Sequence, residues 1–485
     1  MNERKTMPLA MFLSLGLIFV MALLQANKLA GAAAETSQPA GSNGHALFLP
    51  VVLQPIPNNT PLCRFGVNAI GNLNVVDLPG LRVGWYLNYS AQMNPVRPGG
   101  IEYMPVLGLR NYPFISMSDS QIQAVAAANP GSEWLMGNEP DRPDRFINLQ
   151  DNLPPHLYAE AYHYYYHVIK AADPTAKIIA GNIVQPTEIR LQYLDAVLNH
   201  YQAEYNAPMP VDIWGFHNFI LNEVNCDYDP INCWGAETPT GMNIMYGEIL
   251  DIDDNDNIAL FTERVRRFRQ WLAARGYQGV PVYLSEYGIL MPADFGFPPS
   301  RVNQFMSQTF HYLLNERDEN LGDPNDDFRL VQRLSWYSDV DVEFNGALFL
   351  TNGTRTPMGN HFAAYTAAIA NEVDFYPTAI TYAATAGSPL SVALQTEVAN
   401  SGNLMLPVQT TVSFYNGDPA AGGALVGQPQ TIQLSGCGDT ATVTAVWPNV
   451  SPGVYDIYAR VATPLNISET NSANNVIMRR ITVAP

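Results

Sequence analysis

Trp134-Leu135-Met136-Gly137-Asn138-Glu139-Pro140-Asp141 is the stretch from which the rest of the chain is read. Trp134 to Met136 has the apolar character of a strand covered on both faces, and Gly137 and Pro140 punctuate its end. A buried strand normally avoids a carboxylate, because an unpaired charge is costly to take out of water. A second run, Tyr283-Leu284-Ser285-Glu286-Tyr287-Gly288, repeats the pattern and also finishes on a glutamate. Closed parallel barrels carry their reactive side chains at the carboxyl ends of their strands, so two strands that finish this way imply a pair of acids over one cavity.

Working outward from these two runs, short apolar segments rich in β-branched and aromatic residues alternate with longer amphipathic ones from Cys63 to about Ala370. Strands are expected at Arg64 to Ile70, Arg82 to Leu87, Glu102 to Leu107, Trp134 to Met136, Ile178 to Gly181, Ile213 to Phe216, Val282 to Ser285 and Leu334 to Tyr337. The clearest helices are Leu157 to Ala172 and Ile258 to Arg275. In the second, Phe261, Val265, Phe268 and Leu272 fall at helical spacing, and Arg264, Arg266, Arg267 and Arg269 read as a solvated face. Eight such units make an α/β protein with a (β/α)8 barrel over 63–372. An open doubly wound sheet is the rival, and it lacks a glycine-rich phosphate loop after the first strand.

Both ends of the chain differ from this rhythm. Arg4 and Lys5 precede an apolar run from Met7 to Leu24 and the small residues Ala30 to Ala34, so 1–34 reads as an export signal and 35–62 as a linker. An uncleaved anchor is the competing reading, since the run is close to the ~20 residues that span a bilayer. After Ala370 helical patterns disappear, and 378–485 alternates as a smaller all-β, Ig-like sandwich. Its strands include Ser391 to Val398, Thr411 to Tyr415 and Gly453 to Ala459.

The 485 residues carry 25 Lys and Arg against 44 Asp and Glu, a formal net charge of −19. That balance repels nucleic acid and anionic membrane surfaces and favours neutral or cationic partners. Only 14% of residues are charged, while Tyr, Asn, Pro and Gly are plentiful, as in secreted proteins that grip uncharged polar ligands such as sugars. Cys226 and Cys233 suit a disulfide pinning one loop. Cys63 and Cys437 either pair with each other or remain buried thiols. Without a Cys-x-x-Cys pair a structural zinc site is not expected.

On the strand count, Glu139 ends the fourth strand and Glu286 the seventh. There the chain resembles the retaining glycoside hydrolases of clan A, the 4/7 superfamily. The resemblance spans roughly residues 63 to 370 and rests on Gly137-Asn138-Glu139-Pro140-Asp141 and Leu284-Ser285-Glu286-Tyr287-Gly288, wording like that of cellulase-like and β-1,3-glucanase-like members. It implies that Glu139 is the acid/base, Glu286 the nucleophile and Asn138 a hydrogen-bond partner of the sugar 2-hydroxyl. His217 matches the clan's His-x-Tyr at the end of the sixth strand, but Phe219 replaces the Tyr, leaving Tyr287 or another group to orient Glu286. Trp336 resembles the clan's aromatic sugar platform. Arg82 is a weaker match to a basic residue near the nucleophile, being early in its strand. Val398-Ala399-Asn400-Ser401-Gly402-Asn403 and the Glu469-x-Asn471-x-x-Asn474-Asn475 element are similar to the CARDB domain of bacterial surface and secreted proteins, usually a spacer or adhesive module.

The expectation is a secreted or cell-surface monomer that hydrolyses a β-linked poly- or oligosaccharide by double displacement. It would use no metal or organic cofactor, bind no nucleic acid and have no membrane span in its mature form. The alternative is an inactive surface protein that binds carbohydrate or adheres; transglycosylation would use the same residues. Three further readings are structural. Asp141 could line the cleft beside Arg142, but a solvent-exposed ion pair is the plainer account. The acidic stretches 251–257 and 318–327 invite a calcium reading but lack the EF-hand glycine and closing Glu, and fit helix capping and solvation better. His156, His163 and His167 have a chelating spacing but no acidic ligand motif beside them, and read as helix-surface residues.

Overall fold

The computed structural model describes residues 56–145, 150–385, 390–463 and 467–484. The leader expected over 1–34, and the linker as far as residue 55, lie outside the described residues. Leu62, assigned above to the linker, already opens the first strand.

A parallel sheet closes into an eight-stave barrel. Its strands are β1 (Leu62–Asn68), β2 (Val83–Leu87), β3 in two pieces (Glu102–Tyr103 and Val106–Leu107), β4 (Glu133–Met136), β5 (Lys177–Ile183), β6 (Ile213–His217), β7 (Val282–Tyr287) and β8 (Arg333–Trp336). The nine hydrogen-bonded segments count as eight staves because Pro105 interrupts β3, whose first piece pairs with β2 and second with β4. β1 pairs with β8 and completes the ring. Helices α1 (Asp119–Ala128), α2 (Pro155–Ala172), α3 (Glu188–Tyr205), α4 (Ile258–Ala273), α5 (Pro299–Asn315) and α6 (Pro357–Ala367) follow β3 to β8 in turn. Only short 3-10 turns, Pro79–Leu81 and Pro98–Gly100, follow β1 and β2 among the described elements.

The alternation of each strand sorts its side chains into two cores. Trp134, Met136, Trp214, Phe216 and Leu284 point outward and pack with the helices. Trp85, Leu87, Leu135, Ile179, Ile213 and Tyr283 fill the barrel interior. Gly66 is required there: a Cβ at this position would lie 2.3 Å from the Trp85 ring.

The arginines of α4 divide in two. Arg266 and Arg267 pair with carboxylates on its partly exposed side, as expected of a solvated face. Arg264 and Arg269 correct that reading, since both are fully buried. Arg264 binds Glu248 and the Phe219 carbonyl, and Arg269 binds the Leu330 carbonyl and Gln332 Oε1. They close loop carbonyls that helical periodicity cannot see.

A second apolar core, from Val373 to Val483, lies between a three-stranded sheet (Phe375–Thr385, Leu390–Asn400, Asp439–Val450) and a four-stranded one (Ala424–Leu434, Val408–Asn416, Gly453–Ala462, Val476–Val483). Within it Glu469 accepts the Phe375 N–H at 3.0 Å, and Asn474 Nδ2 donates to Asp374. The Glu-x-Asn-x-x-Asn-Asn element thus ties the last hairpin to the first strand.

The sandwich joins the barrel at the amino-terminal ends of its strands. Cys63, in β1, forms a disulfide with Cys437, their Cα atoms 6.1 Å apart. Beside it Arg64 makes a buried bidentate ion pair with Asp326, each oxygen at 2.7 Å, and donates to the Ser401 carbonyl. Part of the acidic stretch 318–327 therefore anchors the two layers together rather than holding water. The stretch at 251–257 does cap: Asp251 and Asp254 form a capping box, and Asn257 caps α4. No helix among the described residues is long and apolar enough to cross a membrane.

Candidate active site

At the carboxyl end of the barrel three buried side chains converge from three strands. Glu139, His217 and Glu286 each offer a donor atom, and these atoms lie within 4.8 Å of one another. His217 Nδ1 stands between the two acids, 3.1 Å from Glu139 Oε1 and 3.5 Å from Glu286 Oε2.

A β-bulge aims Glu286 into this space. Between Leu284 and Tyr287, β7 has one more residue than its neighbours, with Phe216 and His217 facing Leu284 and Glu286, and Leu334 and Trp336 facing Leu284 and Tyr287. Strict alternation would send Glu286 outward with Leu284. The extra residue turns it to the interior and sends Tyr287 out among Phe261 and Trp336 instead. Glu139 is held by a different device, a left-handed backbone with φ of 44°. For a non-glycine residue that conformation costs of order 1–3 kcal/mol and persists only when its surroundings impose it. Here its N–H donates to the Asn182 carbonyl at 3.1 Å, and its own carbonyl accepts from Arg142 N at 3.1 Å.

The charges around the pair are unequal. Burial pushes the Glu139 carboxyl up, but Arg142 Nη1 at 2.9 Å and His217 outweigh it and hold the group at about 2. Glu286 is raised to about 7, by burial and then by the neighbouring Glu139, against the pull of His217 and of the Tyr89 hydroxyl, which donates to Oε1 at 2.7 Å. Burial lowers His217, but the two carboxylates more than reverse this and favour the imidazolium. The Arg142 ion pair thus favours the ionised form of Glu139, and burial beside that charge favours the protonated form of Glu286. The Arg142 guanidinium on Glu139 opposes a divalent cation among these three donors.

Of the residues singled out in the sequence, Glu139, Glu286 and His217 come together here. Asn138 sits half-buried beside Glu139, its N–H bound to Asp151 Oδ2. Tyr287 does not orient Glu286, because the bulge sends it to the helix layer. Trp336 is likewise corrected as a platform: it is fully buried, packs edge-on against Tyr287 and Phe310, and gives its indole N–H to the Gly346 carbonyl. The half-buried aromatic ring on this side of the mouth is its neighbour Tyr337, edge-on to Phe219. Arg82 is occupied at the far end with the Thr366 and Ile369 carbonyls.

Asp141 and Arg142 are not a solvent-exposed pair. Asp141 is wholly buried and bound by Arg190, which also holds Glu223, while Arg142 turns to Glu139 and to the Gly235 carbonyl at 3.0 Å. Gly235 belongs to the loop after β6, closed by the Cys226–Cys233 disulfide, and Arg145 pairs with Asp227 and Glu237 in the same loop. Tyr89 and Arg142 are thus the contacts of the acid pair that sequence reasoning missed. Tyr89 was legible in principle, since it continues the inward parity of Trp85 and Leu87 just past β2.

No protein-family model matches this chain, and no curated protein does. Among solved structures, it is similar to a mutant of a GH128 (subgroup I) endo-β-1,3-glucanase from Amycolatopsis mediterranei in complex with laminarihexaose, at 18% identity over 62% of this chain and 98% of that one, TM-score 0.40. A GH128 (subgroup VII) oligosaccharide-binding protein from Trichoderma gamsii is similar at 11% identity over 65% and 97%, TM-score 0.37. A CARDB domain from Pyrococcus furiosus, in complex with di-metal ions, is similar at 24% identity over 23% and 89%, TM-score 0.19.

Proposed function

We propose that this protein is a secreted, retaining glycoside hydrolase acting on a β-linked glycan, cellulase-like or β-1,3-glucanase-like. The observation that carries the reading is the convergence of Glu139 and Glu286, whose oxygens approach within 4.8 Å over the barrel mouth. Double displacement needs two carboxyl groups about 5–5.5 Å apart, whereas an inverting enzyme spaces them by about 6.5–9.5 Å to admit a water.

Glu286 attacks the anomeric carbon while Glu139 gives its proton to the departing oxygen. Water, deprotonated by Glu139, then releases the sugar from Glu286. Tyr89 and His217 orient the nucleophile, Asn138 binds the sugar 2-hydroxyl, and Tyr337 takes the platform role expected of Trp336. The barrel over 63–372 carries the chemistry, and the sandwich over 378–485 serves as a spacer or adhesive module.

A panel of β-glucans, xylans and mannans, with wild type and Glu286→Gln side by side, tests this. Turnover of at least one glycan by the wild type and none by the variant is expected. Equal turnover by both would reject the assignment. A second reading, a sugar-binding protein without turnover, is favoured by the Arg142 ion pair, which leaves Glu139 without a proton to give. An activated 2-fluoro glycoside separates the two, because covalent labelling of Glu286 requires a working nucleophile.

A further inference from the structure

The ion pair of Arg142 with Glu139 opposes what the proposed reaction requires, since a guanidinium 2.9 Å from Oε2 favours the ionised form of the group that must donate, and leaves any proton shared by the two acids to the group that must attack. The geometry of the site supplies a way to move that proton. Arg142 lies on Glu139 Oε2, tethered from behind by the Gly235 carbonyl, and its side chain is one-fifth exposed. Glu139 itself is only 2% exposed. Arg142 is therefore the solvent-facing member of the pair, while Glu139 Oε1 faces inward to His217 Nδ1, which also faces Glu286 Oε2.

We propose that Arg142 is a positioning residue that keeps the site disarmed until a glycan entering on the Glu139 side draws it away, whereupon one proton passes from Glu286 through His217 Nδ1 to Glu139. The step balances. The N–H bond at His217 Nδ1 breaks first as its proton forms the O–H bond at Glu139 Oε1, and the freed Nδ1 lone pair then takes the proton of Glu286, whose O–H bond breaks in turn. His217 ends as it began, Glu286 is left a carboxylate able to attack, and Glu139 is left an acid able to donate. The Gly235 carbonyl already accepts from Nη2, and the hydroxyls of a sugar are alternative acceptors for Nη1, so leaving Glu139 need not strand the charge.

This inference rests on the glycosidase reading and deepens it by giving the free and occupied sites different proton placements. Several charged or titratable groups face the acid pair. Tyr89 comes from the turn after β2, Asp141 and Arg142 from the loop after β4, His217 from β6 and Tyr337 from the end of β8. Arg190 of α3 neutralises Asp141 from beneath. Among them Arg142 is the cation that bound substrate can displace, because His217 and Arg190 have no exposed surface.

The test is the pH dependence of kcat and kcat/KM for wild type, Arg142→Gln and Arg142→Lys, on whichever glycan of the panel the chain turns over. The kcat/KM profile reports the free protein and kcat the complex. Removing a cation from beside a carboxyl raises its pKa by about 1–3 units. Both limbs of kcat/KM should therefore move up by about one unit or more in Arg142→Gln and stay in place in Arg142→Lys. In the wild type, without any substitution, the alkaline limb of kcat should lie above that of kcat/KM. Coincident wild-type limbs, or an Arg142→Gln profile that overlays the wild type, would overturn the proposal while the turnover itself upholds the glycosidase. Failure of the wild type to cleave any glycan or aryl glycoside would overturn both.

Discussion

Tyr89 donates its hydroxyl to Glu286 Oε1 at 2.7 Å, reaching it from the turn after β2 rather than from the sixth strand, where Phe219 leaves no hydroxyl to offer. The bond favours the ionised form of Glu286. Hydrogen bonds to charged groups contribute about 1.5–3 kcal/mol. Tyr89→Phe should therefore lower kcat/KM by about tenfold to a hundredfold and move the alkaline limb of the profile upward, as Glu286 holds its proton more tightly. A pH–rate series on the two proteins checks both effects, and an unchanged limb would remove Tyr89 from the site.

Glu139→Ala should discriminate between leaving groups. A glycoside with an acidic phenol departs without protonation, so its cleavage should suffer far less than that of a natural glycan. Equal losses on both would argue against an acid at this position.

Arg190 has no exposed surface and holds Asp141 and Glu223, both equally buried. Arg190→Met leaves two carboxylates in the interior without their cation. Breaking a buried pair in this way costs about 3–5 kcal/mol. Urea unfolding should show that loss; a change below ~1 kcal/mol would mean that water reaches the cluster.

Cys63→Ser together with Cys437→Ser should lower the melting temperature while sparing kcat at moderate temperature, because the bond lies at the end of the barrel opposite Glu139. The expected loss is about 2–4 kcal/mol. A melt that is unmoved would show that Arg64, Asp326 and the Ser401 carbonyl hold the junction by themselves.

Stability should fall as pH rises from 5 to 8. Burial raises the carboxyls of Asp151 and Asp339 to about 6 and of Asp323 to about 7. Groups with folded pKa values above their unfolded ones contribute stability that is complete below the unfolded pKa and lost as pH rises through the folded value. Glu139, depressed to about 2, contributes stability present above the unfolded carboxyl range and lost only below it, so it does not oppose the trend in this window. Thermal melts at the two pH values decide the sign.

Much of this architecture was legible because strand and helix periods report burial directly. All eight staves were placed from apolar runs, as were α2 and α4, and Glu139 and Glu286 stood out as charges where strands should be dry. What periodicity misses is an irregularity of one residue. The bulge in β7 reverses the facing of Glu286 and Tyr287, and nothing in Leu-Ser-Glu-Tyr announces it. Trp336 was misplaced for a related reason: its composition suits a platform, but its parity in β8 matches Leu334, which packs outward. Arg142, Arg264 and Arg269 were read as solvated because charge is usually exposed, and their partners are carbonyls and carboxylates distant in sequence. The pairing of Cys63 with Cys437 likewise depends on which rim of the barrel the sandwich meets.

That junction has a directional consequence. Cys63, Arg64 and Asp326 fasten the sandwich to one rim, and the acid pair opens at the other, so the two face in opposite directions along a single axis. The mouth is thereby presented away from the sandwich at a fixed reach, and a sheet or fibre too broad to enter any cavity can lie flat across the strand ends without touching that second layer.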